Sequence, residues 1–231
     1  MNIEILAGDK SGAVVVKRMV EAICRKELGE DIPQVEVRPH RGCGKLPDDM
    51  KAKPGKFASG LLDLLPAKCR AYENIYGNGD LILAVVMDSD NNDPAQLRAE
   101  LYAVTSQFAP DIRCVIGLCT EEVEAWLLGD RKALLEAYPE ADVDLIDSYQ
   151  QDSVCGTWEL LCKAVCPDTY KSIIEVGYPA IGNYKAKWAD NISSHMSPDN
   201  NRSPSFLLFA NALTAAIKNP APVKSIHRRT F

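Results

Sequence analysis

The residues best suited to chemistry are the carboxylates of Asp88 and Asp90, on either side of Ser89. They follow residues 81–87, an apolar run rich in branched side chains that predicts a strand buried on both faces. Alternate residues of an extended chain face the same way, so both carboxylates can point at one site. Two carboxylates ~4 Å apart repel by ~4 kcal/mol at an effective dielectric of about 20. The pair therefore predicts a site for Mg²⁺ or Mn²⁺, with a solvated turn capped by Asp as the alternative.

Further acidic residues follow two other predicted strands. They are Asp9, Glu121, Glu122 and Glu124. The carboxyl ends of parallel strands lie at one edge of a sheet, where ligands bind. We therefore expect Asp9 to be a third metal ligand, and at least one of the three glutamates to complete a catalytic acidic cluster. The alternative is that these acids only complement the positive ends of helices.

Basic residues cluster between positions 38 and 56. The six are Arg38, Arg41, Lys45, Lys51, Lys53 and Lys56. Glycines in the same segment favour a mobile loop, which either grips a phosphate backbone or is simply solvated. Arg41 and Lys45 are therefore candidate substrate contacts, together with Lys185, Lys187 and Arg202 further along the chain. Because the formal net charge is −6, contact with nucleic acid requires such a local basic patch.

The first half of the chain alternates between strand and helix patterns. The predicted strands are Asn2–Ala7, 35–38, 81–87 and 112–118, and the predicted helices are 11–27, 60–72, 94–108 and 121–128. Asp93 and Pro94 form the expected start of the third helix. This alternation predicts an α/β protein with a parallel sheet flanked by helices.

The second half contains only helical patterns. These are at Thr157–Val165, 184–192 and 205–218. We therefore divide the chain into an α/β core at residues 1–131 and a C-terminal helical lobe at residues 132–231 that packs on the core. The last dozen residues form a basic tail with Lys224, His227 and Arg228.

Cysteine spacing and hydropathy bear on the compartment. None of the eight cysteines stands in a Cys-x-x-Cys pair, so we expect free thiols. The first residues lead straight into a strand pattern without the basic start of an export signal. The longest apolar stretch, 206–217, is shorter than the ~18 residues that a membrane span needs. We expect a cytoplasmic protein that does not enter the membrane.

Several segments together resemble a known family. Their positions are 38–42, 62–72, 88–90, 124–130 and 202–206, with sequences RPHRG, LDLLPAKCRAY, DSD, EAWLLGD and RSPSF. In this order they resemble the bacterial domain-of-unknown-function family 4276, the RloG-like proteins, over nearly the whole chain. The resemblance implies a TOPRIM-like (Rossmann-like) sheet, in which an Asp-x-Asp pair and a glutamate after the first strand hold Mg²⁺ for phosphodiester chemistry. It also implies a role in restriction or phage defence, with an ATPase as partner.

The Asp-x-Asp pair of that family corresponds to Asp88 and Asp90. The expected glutamate corresponds to Ala7, so Asp9 or Glu4 has to substitute for it. Our hypothesis is a Mg²⁺-dependent nuclease, or related phosphodiester hydrolase, acting on nucleic acid and most naturally on DNA. The rival hypothesis is a non-catalytic subunit that binds nucleic acid or an ATPase through a degenerate site. A small-molecule phosphohydrolase is a third alternative, and the sequence leaves open whether the protein is a homodimer.

Overall fold

The computed structural model describes residues 1–77 and 81–219, in which a four-stranded, all-parallel sheet is flanked by helices. The strands are β1 (Asn2–Ala7), β2 (Gln34–Pro39), β3 (Leu81–Asp88) and β4 (Arg113–Cys119). The helices are α1 (Lys10–Leu28), α2 (Leu61–Tyr76), α3 (Pro94–Phe108), α4 (Glu124–Gly129), α5 (Arg131–Ala137), α6 (Val143–Ser148), α7 (Thr157–Val165), α8 (Tyr170–Val176), α9 (Ala180–Ser193) and α10 (Pro204–Lys218). The predicted α/β class and its parallel sheet are confirmed. The predicted basic tail lies outside the described residues.

The strand order is β2-β1-β3-β4, so the chain moves outward in opposite directions from the β1–β3 pair. Such a reversal opens a crevice at the carboxyl ends of the two central strands. The register pairs Ala7 with Val86 and Asp88 with Cys119. Gly8 extends β1 past this pairing by donating its backbone N–H to the Val86 oxygen at 2.9 Å. A side chain at Gly8 would crowd Met87, because its Cβ would lie 3.3 Å from that of Met87.

Strand β3 is buried on both faces, as its continuous apolar sequence predicts. Ile82 and Val86 belong to the cluster shared with α1 and α10, while Leu83 and Val85 belong to the cluster shared with α2 and α3. The helix α3 begins as expected, because Asp93 accepts hydrogen bonds from the backbone N–H groups of the first turn. Two helical layers therefore fix β3, and with it the position of the acidic residues that follow.

The helices after residue 132 complete one face of the sheet and share its hydrophobic core. Phe209 of α10 packs against Gly117 of β4, where any Cβ would lie 2.8 Å from the ring. The Trp126 ring of α4 stacks on Phe209 with centroids 5.4 Å apart, and its Nε1 donates to Ser205 Oγ at 2.9 Å. The segments 124–130 and 202–206, which carried much of the resemblance, thus contact each other as core packing.

One local prediction is wrong. The helix expected at 121–128 begins only at Glu124, because Glu121 has a positive φ of 61° that a helix does not accommodate. Arg38 lies in β2, within the strand predicted at 35–38, and its Nε donates to Glu4 at 2.8 Å. The eight cysteines are free, as predicted. Within residues 1–77 and 81–219 there is no helix with the length and apolar character to cross a membrane.

Candidate acidic site at the carboxyl edge of the sheet

The parallel register brings Asp9 and Asp88 to the same edge of the sheet. Ala7 pairs with Val86, so the residues two positions further along each strand direction, Asp9 and Asp88, come side by side. Both line a cavity of about 220 Å³, together with Asp90. The cavity lies at the topological switch point of the sheet, where ligands of α/β proteins bind.

Asp9 has two roles in this arrangement. As the N-cap of α1 it accepts the Gly12 N–H at 2.7 Å through Oδ1. Its carboxylate also lines the cavity, and its charge is one cause of the raised pKa of Asp88. The helix cap therefore orients Asp9 without removing it from the site.

The pKa of Asp88 is raised well above its ordinary value. Burial is the main cause, and the charges of Asp9 and Glu124 add to it, while Lys185 acts in the opposite direction. A carboxylate in this situation gains from a nearby cation, because a cation stabilises the ionised form that burial and the neighbouring acids disfavour. The electrostatics thus favour cation binding at Asp88.

The loops after β3 and β4 are bonded to each other beside the cavity. Ser89 N–H donates to the Cys119 oxygen at 2.9 Å, and Asp90 N–H donates to the Glu121 oxygen at 3.0 Å. The Glu121 N–H in turn donates to Ser89 Oγ at 2.9 Å. Asp90 and Glu121 both have positive φ angles, of 46° and 61°. Strained backbone of this kind concentrates at functional sites, because the surrounding structure must hold it in place.

A buried lysine from α9 forms ion pairs with two glutamates at the cavity. Lys185 Nζ lies 3.1 Å from Glu122 Oε1 and 3.3 Å from Glu124 Oε2. Burial lowers the pKa of Lys185, but the charges of Glu124 and Glu122 outweigh it, so the net effect is an increase. Lys185 lines the cavity together with Glu122. It therefore brings a permanent positive charge to the acidic site.

Glu124 is the most deeply buried acid of the group, with no exposed surface. Burial raises its pKa to about 7 against the lowering effect of Lys185, and Glu122 adds to the rise. Among the residues that the structure describes, neither carboxylate oxygen of Glu124 has a hydrogen-bond partner. Its carboxylate forms an ion pair with Lys185 at 3.3 Å.

The carboxylate of Glu121, a predicted catalytic residue, binds a loop outside the cavity. Its carboxylate accepts backbone hydrogen bonds from Cys155 at 3.2 Å, Gly156 at 3.0 Å and Thr157 at 3.0 Å. These bonds fix the loop before α7, and the positive φ of Glu121 aims the side chain at that loop. Glu121 therefore has a structural role, and Glu122 takes the place beside the cavity.

The predicted basic contacts are spread over the surface, apart from Lys185. Lys45 lines a separate cavity of about 510 Å³, and Arg202 lines another of about 720 Å³. Lys187 is exposed on α9. Arg41 is exposed in the loop whose next residues, Gly42 and Cys43, line the acidic cavity. Of the five predicted basic contacts, Lys185 alone lines the acidic cavity.

Glu4, an alternative substitute for the missing glutamate, lies on the sheet face away from this site. It accepts from Arg38 at 2.8 Å and from the Tyr72 hydroxyl at 2.9 Å. Cys43 and Tyr178 are among the lining residues that the sequence did not indicate. Burial and the charges of Asp90 and Asp88 raise the pKa of the Cys43 thiol to about 12, so it stays neutral. No local motif marks either residue.

The donor set fits a hard divalent cation held by few protein ligands. Within residues 1–77 and 81–219, no group of three or more His, Cys, Asp or Glu side chains is arranged to hold a metal ion. Mg²⁺, however, commonly binds through one or two carboxylates and completes its shell with water and phosphate oxygens. Asp88 and Asp9 satisfy that requirement, with Asp90 at the exposed rim of the same cavity.

Comparison with known proteins adds no assignment. No family model matches the chain, and no curated protein and no solved structure matches it. The function is therefore argued from the site.

Proposed function

We propose that this cavity is the active site of a Mg²⁺- or Mn²⁺-dependent phosphodiester hydrolase of the nuclease class, built on a TOPRIM-like core. The observation that carries the proposal is the convergence of Asp9 and Asp88 in one cavity at the switch point of the sheet. The raised pKa of Asp88 supports it, because burial and the charges of Asp9 and Glu124 disfavour the ionised carboxylate, which a bound cation would stabilise.

Each residue of the cavity has a distinct part in this proposal. Asp88 and Asp9 would hold the ion, with Asp90 beside them in the cavity lining. The bound ion would neutralise charge on the phosphate and lower the pKa of a water nucleophile. Lys185 contributes a fixed positive charge beside the phosphate, and Glu122 and Glu124 hold its ammonium group in position.

The size of the cavity favours a polymer as substrate. Pockets that enclose small molecules usually measure about 300–1,000 Å³, whereas this cavity measures about 220 Å³. It accommodates a phosphate group and leaves the rest of the substrate outside. The small-molecule phosphohydrolase is therefore the weaker alternative, and DNA is the substrate we favour. The resemblance extends the proposal to bacterial phage defence beside a partner ATPase.

Two observations favour the non-catalytic alternative. Lys185 already forms ion pairs with two carboxylates, and no three-residue metal-binding group is found in the described parts of the chain. A site of this kind could bind a nucleic-acid strand or a partner without cleaving it. The two functions differ in whether a metal ion and Asp88 are needed.

A cleavage assay separates them. The purified protein is incubated with single-stranded DNA, duplex DNA and RNA in Mg²⁺, Mn²⁺ or chelator. We expect metal-dependent cleavage by the wild type and by the control Asp93→Asn, which keeps a helix cap outside the cavity. Asp88→Asn is expected to abolish cleavage. Cleavage that survives in Asp88→Asn or in chelator would contradict the proposal, and metal-independent binding without cleavage would support the non-catalytic alternative.

A further inference from the structure

Tyr178 places an aromatic ring at the entrance of the acidic cavity. The residue is 67% exposed, yet it lines the cavity together with Asp88 and Lys185. It precedes α9, the helix that carries Lys185. Burial raises the pKa of its hydroxyl, and Lys185 and Glu122 also act on it. The ring is therefore close to the charged groups at the bottom of the cavity while most of it faces solvent.

The size of the cavity determines which part of a bound nucleotide contacts the Tyr178 ring. A space of about 220 Å³ admits a phosphate but cannot also enclose a sugar and a base. With the phosphate at Asp88 and Lys185, the attached nucleoside has to lie at the entrance. Tyr178 is the aromatic side chain that lines this cavity among the described residues. A flat apolar ring there offers a face on which a base can stack.

We propose that Tyr178 stacks on the base next to the phosphate bound in the acidic cavity, and that it makes an unpaired nucleotide the preferred substrate. Both faces of a base in a duplex are covered by its neighbours, whereas a base in a single strand is free to stack on protein. This inference rests on the proposed function, because it takes the phosphate site as given. It goes further by naming the substrate class as single-stranded nucleic acid.

The test compares binding of a normal and an abasic single-stranded oligodeoxynucleotide. Binding is measured by fluorescence anisotropy in Ca²⁺ buffer, which supplies an oxygen-binding ion. Tyr178→Ala should weaken binding of the normal strand by about tenfold, as expected for one lost base stack, and leave the abasic strand unaffected. Tyr178→Phe should bind the normal strand with wild-type affinity, because its ring can still stack on the base. Tyr102→Ala, an exposed tyrosine on α3, is the matched control and should bind like wild type.

The outcomes separate this inference from the proposed function. If the wild type cleaves nucleic acid but Tyr178→Ala binds both strands as wild type does, the stacking role is overturned and the proposed function stands. Equal weakening of normal and abasic strands would also overturn stacking, because it would indicate a general structural defect. If the wild type neither binds nor cleaves any strand, both are overturned.

Discussion

Replacing Glu124 by Gln should change how the stability of the protein depends on pH. Glu124 is fully buried and its pKa is about 7, compared with an ordinary value of 4.5. Burial is the main cause, Lys185 partly offsets it, and Glu122 adds to it. Gln has nearly the same shape as Glu and does not titrate, so Glu124→Gln removes this proton equilibrium while Lys185 keeps its contact with Glu122.

The sign and size of the effect follow from the two pKa values. Between pH 4.5 and about 7 the folded protein keeps a proton on Glu124 that the unfolded chain releases. The stability that this proton provides is complete below pH 4.5 and is lost as the pH rises through about 7. At about 1.4 kcal/mol per pH unit, the loss amounts to about 3 kcal/mol.

Urea unfolding at several pH values between 5 and 8 measures this loss. The free energy of unfolding of wild type, relative to Glu124→Gln, should fall by about 2.5 kcal/mol over that range. Glu140→Gln, a change at an exposed glutamate, serves as the matched control and should follow wild type. Parallel pH profiles for wild type and Glu124→Gln would refute the electrostatic description of the site.

Three further predictions concern the surroundings of the cavity. Lys185→Met should lower the free energy of unfolding at pH 8 by roughly 3–5 kcal/mol, because the buried Glu124 and the partly buried Glu122 lose their counter-ion. Unchanged urea unfolding would contradict this. Glu121→Ala should cost roughly 2 kcal/mol in the same assay, because three backbone N–H groups lose their acceptor, yet leave metal affinity unaltered. Replacing Arg41 and Lys45 by Ala should reduce the slope of log binding constant against log salt concentration by about 2 for nucleic acid. An unchanged slope would show that neither side chain contacts phosphate.

The sheet could be predicted from the sequence because its strands are buried on both faces. The run at β3 has no polar residue before Asp88, and such a run is compatible with few other structures. The closeness of Asp9 and Asp88 also follows from simple rules, since both come at the carboxyl ends of neighbouring parallel strands. The start of α3 was predicted correctly from Asp93 and Pro94.

The remainder of the site depends on contacts between distant parts of the chain. Lys185 reaches Glu122 and Glu124 only because α9 packs against α1, where Arg18 donates to Asp190 at 2.7 Å. No periodicity near residue 185 indicates that packing. The hydrogen bonds that the Glu121 carboxylate accepts from the loop before α7 also join distant segments, and a sequence pattern does not reveal them.

Metal binding is the central claim, and isothermal titration calorimetry with Mn²⁺ and Mg²⁺ tests it most directly. We predict saturable binding to the wild type and to Asp93→Asn, weaker binding to Asp9→Asn, and no detectable heat for Asp88→Asn, with all variants folded by circular dichroism. Asp9→Asn should keep the cap of α1, because Asn is also a good N-cap. Equal binding by wild type and Asp88→Asn, or no binding by the wild type, would contradict the account.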